Sequence, residues 1–196
     1  MMWRHLGAVV LLQIELDALK ETADSRFRDE LIRPVERLLV SPEGVIAPSA
    51  AGYVVDVHHA RHPFSRSNGT NHLSIGFTGH YEAMRRHFGV PLSLGAGGEN
   101  VIVRREGRTL LADLGVELLF ELADGGRLRL RQPAVMHPCA PFTRFCLGQS
   151  SPVAEALRAG LQFLDGGMRG FKAMPAESAE LLAGAQLYAR AGEAQG

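Results

Sequence analysis

This chain lacks an excess of charge of either sign. Its 21 basic and 21 acidic residues give a formal net charge of zero. A main surface for nucleic acid or an anionic membrane needs a basic excess or stripe, so neither is expected as partner. Any anionic ligand must then be met by a local cluster of arginines. Cysteine is scarce too, with only Cys139 and Cys146 present. Two thiols make no disulfide framework and fit a reducing, cytoplasmic setting. A long apolar run is also missing. Residues 6–12 follow Arg4 and His5 as a signal peptide might begin, yet they are too short to span a bilayer. Gln13, Glu15 and Asp17 come next with no small-residue cleavage site, so the run reads as a buried strand. Internal repeats, low-complexity segments and domain linkers are likewise absent. The 196 residues are expected to form one domain, 1–196, with its core roughly over 35–190.

What is present is an ordinary globular composition, 46% hydrophobic and 21% charged. After a first strand over 6–16, the charged stretch 17–30 reads either as an exposed helix or as a long surface loop. Residues 33–40 read as a second strand, ended by the turn Ser41-Pro42-Glu43-Gly44. Residues 47–52 are small and polar, hence a loop, and β-branched residues mark a third strand over 53–58. The stretch 59–71, with His62-Pro63, Ser65, Ser67, Asn68 and Gly69, reads as a flexible loop. A strand over 73–77 leads to a helix capped by Thr78, with Tyr81, Met84 and Phe88 on its apolar face and Gly89 and Pro91 at its end. His80 and His87 fall on its exposed side. Residues 100–104 suggest another strand. The clearest hairpin joins 116–122 to 127–131 through Ala123-Asp124-Gly125-Gly126. Ser151 and Pro152 open a helix with Val153, Leu157, Leu161 and Leu164 on one face, closed by Gly166-Gly167. One or two short strands follow over 171–191, Tyr188 among them. Many short strands with few helices predict a mainly β (α+β) fold, a β-barrel with peripheral helices.

Two stretches carry the chemistry. In His137-Pro138-Cys139-Ala140-Pro141-Phe142-Thr143-Arg144-Phe145, prolines flank a cysteine that has a histidine two residues before it and an arginine five after. The prolines fix φ and predict a stiff loop in place of a regular helix. A protonated His137 or the Arg144 guanidinium beside the thiol would favour its thiolate, whereas the alternative is a buried apolar cysteine. Cys146, in Phe145-Cys146-Leu147, reads as core; a disulfide between the two cysteines is not implied. Gly95-Ala96-Gly97-Gly98-Glu99-Asn100 could cradle a phosphate with its N–H groups, or be a tight glycine turn. It leads into a strand, so it is neither a Walker loop nor a dinucleotide fingerprint. Glu99 and Asn100 stand where they could bind polar ligand edges. His58 and His62 have the i, i+4 spacing of a zinc pair, but no third ligand recurs at a characteristic spacing. Arg104, Arg105 and Arg108, and Arg127, Arg129 and Arg131 on one strand face, read mostly as solvated surface.

Gly98-Glu99-Asn100-Val101-Ile102-Val103, followed about forty residues on by Pro138-Cys139 and an aromatic-rich loop, resembles the MOSC domain family. These domains end the pyridoxal-phosphate-linked molybdenum cofactor sulfurases and also stand alone. The likeness runs over roughly 35–188 and is strongest over 73–148. It implies a β-barrel-like fold and molybdenum cofactor (molybdopterin) as ligand. Cys139 matches the family cysteine that is thought to carry persulfide sulfur or to ligate molybdenum. Gly98, Glu99, Asn100, His137 and Arg144 are then expected to bind the cofactor. So are Asp56 and His58, which match a Gly-Asp-x-x-His-like element of the family, although Val55 replaces its glycine. No desulfurase module is present in the chain. The implied partners are therefore a cysteine desulfurase or other sulfur donor, and a molybdoenzyme or a small N-hydroxylated substrate. The alternative is a non-catalytic β-barrel binding module with a structural cysteine.

Overall fold

A computed structural model describes residues 2–20, 26–50, 52–65 and 71–191. A long strand β1 (Trp3–Glu15) is followed by a 3-10 turn (Asp29–Leu31) and by β2 (Ile32–Val35), β3 (Arg37–Ser41), β4 (Gly44–Ser49) and β5 (Gly52–Val55). A crossover unit of β6 (Leu73–Phe77), α1 (Thr78–Phe88) and β7 (Val101–Val103) comes next. Then follow α2 (Leu111–Leu114), β8 (Glu117–Glu121), β9 (Arg127–Val135), α3 (Ala140–Leu147) and α4 (Ala154–Leu164). The chain ends with β10 (Phe171–Pro175), β11 (Ala179–Leu182) and β12 (Gln186–Arg190).

The large sheet runs β12-β8-β9-β10-β6-β7-β1-β2, and a further β12–β1 pairing closes it into a seven-strand mixed barrel with β2 outside the ring. β6 and β7 are its parallel pair, as a helical crossover between adjacent strands requires. β1 holds the ring together. Its first half pairs with β12, from Trp3↔Arg190 to Ala8↔Gln186, and its middle pairs with β7. Register shifts at His5/Gly7 and Val9/Leu11 bend it. Leu6, Val9, Leu12 and Ile14 consequently enter the barrel core, while Val10 and Leu11 back a second apolar cluster under the helices. Phe77, Phe120 and Phe171 fill the barrel core; Tyr81, Met84, Phe142 and Cys146 fill the second cluster, all buried. Each such side chain contributes about 1.5–3 kcal/mol of hydrophobic stabilisation. A small sheet, β11-β3-β4-β5, packs on one side. No helix among the described residues is long and apolar enough to cross a membrane.

The mainly β barrel with peripheral helices is as expected, and so is the β8–β9 hairpin. Local departures have physical causes. The second strand breaks at Glu36, so that β2 extends the barrel sheet and β3 the small sheet. Residues 44–49 are strand, because Ala47 pairs with Val54 and is buried in the barrel-core cluster; residue 51 lies outside the described residues. β5 stops at Val55, since Asp56 turns the chain to cap backbone N–H groups. At its described ends the 17–30 stretch is the surface loop of the two expected forms, ending in the 3-10 turn and pinned at two points. Lys20 pairs with Phe27, and Leu19 and Phe27 are buried; residues 21–25 lie outside the described residues. Successive turns bind His59, His62 and Ser65 to the residues before them, and 66–70 lie outside the described residues. Thr78 does not cap α1; its hydroxyl exchanges hydrogen bonds with the Arg105 backbone. Val153 precedes α4 and is exposed. The tail holds three strands, because closing the barrel needs β12 and completing the small sheet needs β11.

His80 also differs from expectation, whereas His87 is exposed as expected. His80 is buried between Phe77 and Phe171, where its Nε2 accepts from the Thr109 N–H at 2.9 Å. Burial pushes its pKa down to about 4, so the ring stays neutral. His87 stacks flat on Phe163 at 3.7 Å, joining α1 to α4.

Candidate functional site

The end of β1, the turn after β5, the glycine-rich segment before β7, the β9–α3 connection and the loop after α4 converge. Glu99 is the pivot. Only 1% exposed, it accepts a 2.6 Å hydrogen bond from the Tyr81 hydroxyl and a 2.8 Å ion-paired bond from Arg169 Nη1. Arg169 also donates to the Gly97 carbonyl, and its guanidinium carbon lies 4.6 Å from the Phe142 ring centre. The Gly97 N–H donates to the Tyr81 oxygen at 3.0 Å. Burial would lower the Arg169 pKa, but the neighbouring Glu99, Tyr81, Glu15 and Cys139 raise it, so the cation is held. Burial, and then Glu99, push Tyr81 well above the ordinary phenol range, which keeps it a donor.

A second network adjoins the first. Asn100 Nδ2 donates to Asp56 Oδ2 at 3.0 Å, and its Oδ1 accepts from the Ser74 hydroxyl at 2.8 Å. Asp56, also 1% exposed, further accepts from the Glu15 N–H at 2.9 Å and from the His58 N–H and Nδ1 at 2.9 and 3.1 Å. The Asp56 bond is the main cause that raises the His58 pKa, against burial. The His58 ring is 65% exposed, so the pair is screened.

The glycines serve close packing. Gly98 has φ +85°, and a Cβ there would lie 2.4 Å from Glu15 Oε1. Cβ atoms at Gly95 and Gly97 would meet Gln13 Oε1 at 2.4 Å and Arg169 Nη1 at 2.7 Å. The segment is thus the tight turn, its open faces filled by the protein's own polar side chains and not left as a phosphate cradle. Glu99 and Asn100 are turned inward on the same grounds, and Gly98, Glu99 and Asn100 act here as positioning residues.

Cys139 is half-buried at the end of the β9 connection, with its thiol free. The expected stiff loop is instead the start of a helix. Cys139 is the N-cap residue of α3, and Pro141 occupies the first turn, where no backbone N–H is needed. The Cys139 carbonyl accepts from the Thr143 N–H at 3.0 Å and its hydroxyl at 2.9 Å. Cys146 is buried, as expected, and burial pushes its thiol up to about 12. Seven residues of helix at about 1.5 Å each place the two cysteines too far apart for a disulfide, which needs Cα atoms within about 7 Å.

The cations expected around Cys139 differ. His137 is 84% exposed and faces Asp165 at 3.8 Å. Arg144 is half-buried on α3, and no hydrogen bond joins it to Cys139 among the described residues. The buried cation whose field includes Cys139 is Arg169, brought by the loop after α4; the Met136 N–H anchors that loop on the Gly170 carbonyl at 3.0 Å. Arg169 is not among the residues expected from sequence, and Tyr81 and Glu15 are expected only on a helix face and after an apolar run. Their signals were faint: an arginine inside Gly-Gly-Met-Arg-Gly, a hydroxyl on an apolar helix face, and an acid closing an apolar strand. His58 and His62 do not form a zinc pair, since His58 is held by Asp56 and His62 lies against Phe64. No group of three or more His, Cys, Asp and Glu among the described residues is arranged to hold a metal ion.

The molecule is therefore a closed mixed β-barrel with a helical side that carries a free cysteine beside a buried Arg–Glu–Tyr clamp. Its shape is shared with known structures. The crystal structure of the YuaD protein from Bacillus subtilis superposes with a TM-score of 0.56 at 16% identity, covering 95% of this chain and 97% of that one. The crystal structure of a hypothetical protein gives 0.51 at 14% identity, covering 98% of this chain and 71% of that one. At such identities the likeness establishes the fold alone. Comparison with family models and with curated proteins yields no match.

Proposed function

We propose that this chain is a stand-alone MOSC-type domain that holds molybdenum cofactor, or carries sulfur for it, through Cys139. The observation that carries the reading is the free thiol of Cys139, fixed at the N-cap of α3 and within the field of a buried arginine. A thiolate is a soft ligand suited to a metal with sulfur ligands. The donor chemistry fits such a group at this one atom, because a free thiol can supply a sulfur ligand. Bound there, the cofactor would supply a two-electron redox centre, suited to reducing small N-hydroxylated compounds. The protein's own part is to hold the thiol: Thr143 fastens the Cys139 carbonyl, and the Glu99–Arg169–Tyr81 clamp fixes the cation. In the carrier role, the Cys139 thiolate attacks the outer sulfur of a donor's persulfide. A Cys139 persulfide forms and the donor's thiolate leaves, so the donor is a cysteine desulfurase or similar protein. Cytoplasmic residence suits both roles.

The test is the molybdenum and pterin content of the purified protein beside its Cys139→Ala variant, with intact-mass analysis for one added sulfur atom. Loss of metal or of the sulfur adduct in the variant supports the reading. Equal cofactor in both proteins would sink the ligand role and favour a binding module with a structural cysteine.

A further inference from the structure

Among the described residues, Glu15 is a buried acid whose carboxyl group has no hydrogen-bond donor. Glu15 is 8% exposed and its backbone N–H is tied to Asp56, yet its carboxyl group makes no hydrogen bond. Among the described residues, the side-chain atoms both sealed from solvent and unpartnered are Arg28 Nε, His80 Nδ1, Arg105 Nε and Thr109 Oγ1. The Glu15 oxygens are not among them, so solvent, or a ligand displacing it, reaches this acid. Its position is not accidental packing. Gly98 lacks a Cβ where Glu15 Oε1 sits, and Leu19 lies beside that carboxylate. Leu19 belongs to the apolar cluster against which Cys139 packs, and Arg169 senses both Glu15 and Cys139.

We propose that Glu15 is the ligand-facing acid of the Cys139 site: protonated, it donates a hydrogen bond to an anionic ligand lying against Cys139, and ionised, it repels that ligand. The inference rests on the reading of Cys139 as a ligand-binding group. Asp56 and Glu99 each accept from dedicated donors, whereas Glu15 has none among the described residues, so only the fields of His58 and Arg169 offset its charge. The groups that face it are Asp56 and His58 from the turn after β5, Glu99 from the glycine-rich segment and Arg169 from the loop after α4. Lys20, beyond the end of β1, acts on His58. Arg169 is already matched by Glu99. Burial outweighs His58 and Arg169 and pushes the Glu15 carboxyl up to about 8, so it is protonated at neutral pH. A neutral carboxylic acid in a binding site is a hydrogen-bond donor that discriminates by ligand charge.

Two alkylating probes test this on the cofactor-free protein. Iodoacetate is anionic and iodoacetamide neutral, and both need the same Cys139 thiolate. The ratio of their rates therefore cancels the thiol's own titration and reports the charge facing the reagent. Modification is assigned to Cys139 by peptide mapping, separately from Cys146. In the wild type, the iodoacetate-to-iodoacetamide ratio is expected to fall about fivefold or more between pH 6.5 and 9.5. In Glu15→Gln it should stay within about twofold, a residual left to His58. A flat ratio in the wild type, or an equal fall in the variant, overturns the proposal. Should the variant fail to fold, the 13C carboxyl titration of Glu15 in the wild type replaces it, and its midpoint must coincide with that of the ratio. Cofactor content is measured separately. A protein without molybdenum whose ratio still follows Glu15 would leave this inference standing and remove the cofactor reading.

Discussion

At the scale of single residues, protonation and burial make separable predictions. Glu15 is raised from 4.5 to about 8, chiefly by burial, so between those values the folded protein holds a proton that the unfolded chain has released. Stability from this group is full below pH 4.5 and lost as pH rises through about 8. His58, raised chiefly by its Asp56 bond, acts in the same direction above 6.5, weakly because it is exposed. Melting curves from pH 5 to 9 should show the wild type losing roughly 5 °C more than Glu15→Gln. The clamp is tested by Arg169→Met, which strands the buried Glu99 carboxylate. Urea unfolding should show a loss of roughly 3–5 kcal/mol, part of it recovered by adding Glu99→Gln. For the thiols, a disulfide-exchange reagent is expected to find Cys139 in the native protein and Cys146 only after unfolding.

At the scale of elements, the glycine-rich turn and α3 are the informative pieces. Gly98→Ala would force a Cβ to 2.4 Å from the Glu15 carboxylate at a positive φ. The expected loss is about 1–3 kcal/mol by chemical denaturation. Pro141→Ala is the contrasting change, since the first turn of α3 uses no N–H there; its effect should stay within about 1 kcal/mol. A loss of several kcal/mol would restore the view of this segment as a proline-braced loop. The same prolines misled the sequence reading, because a proline in a first turn and one in a loop constrain φ alike. What distinguishes them is Phe142 and Cys146 meeting the apolar cluster on one helix face, a fact of packing.

At the scale of the whole molecule, closure depends on the two ends of the chain. β12 bridges β1 and β8, with Trp3 opposite Arg190. Ending the chain at Ala185 would remove β12, leave two unpaired edges and uncover Phe120, which Leu187 faces across the sheet. The expected result is loss of a single cooperative melt, read by circular dichroism and calorimetry. Pairing residues so distant in sequence also slows folding relative to helical proteins of similar size.

The amino-acid sequence by itself determined much of this. Period-two alternation and β-branched runs marked the β8–β9 hairpin, β6 and β5, and the scarcity of helical periodicity marked a mainly β fold. Cys146 as core and the glycine-rich segment as a tight turn were legible too, because an apolar flank and a run of glycines are local signals. Tertiary structure decided what depends on which distant segments meet. Closure of the barrel joined residues 3–8 to 186–190. A buried cation whose field includes Cys139 is Arg169, which Glu99 and Gly97 hold from the loop after α4. Glu15 became a protonated acid only because the fold buried it without a donor, and no local pattern encodes the absence of a partner.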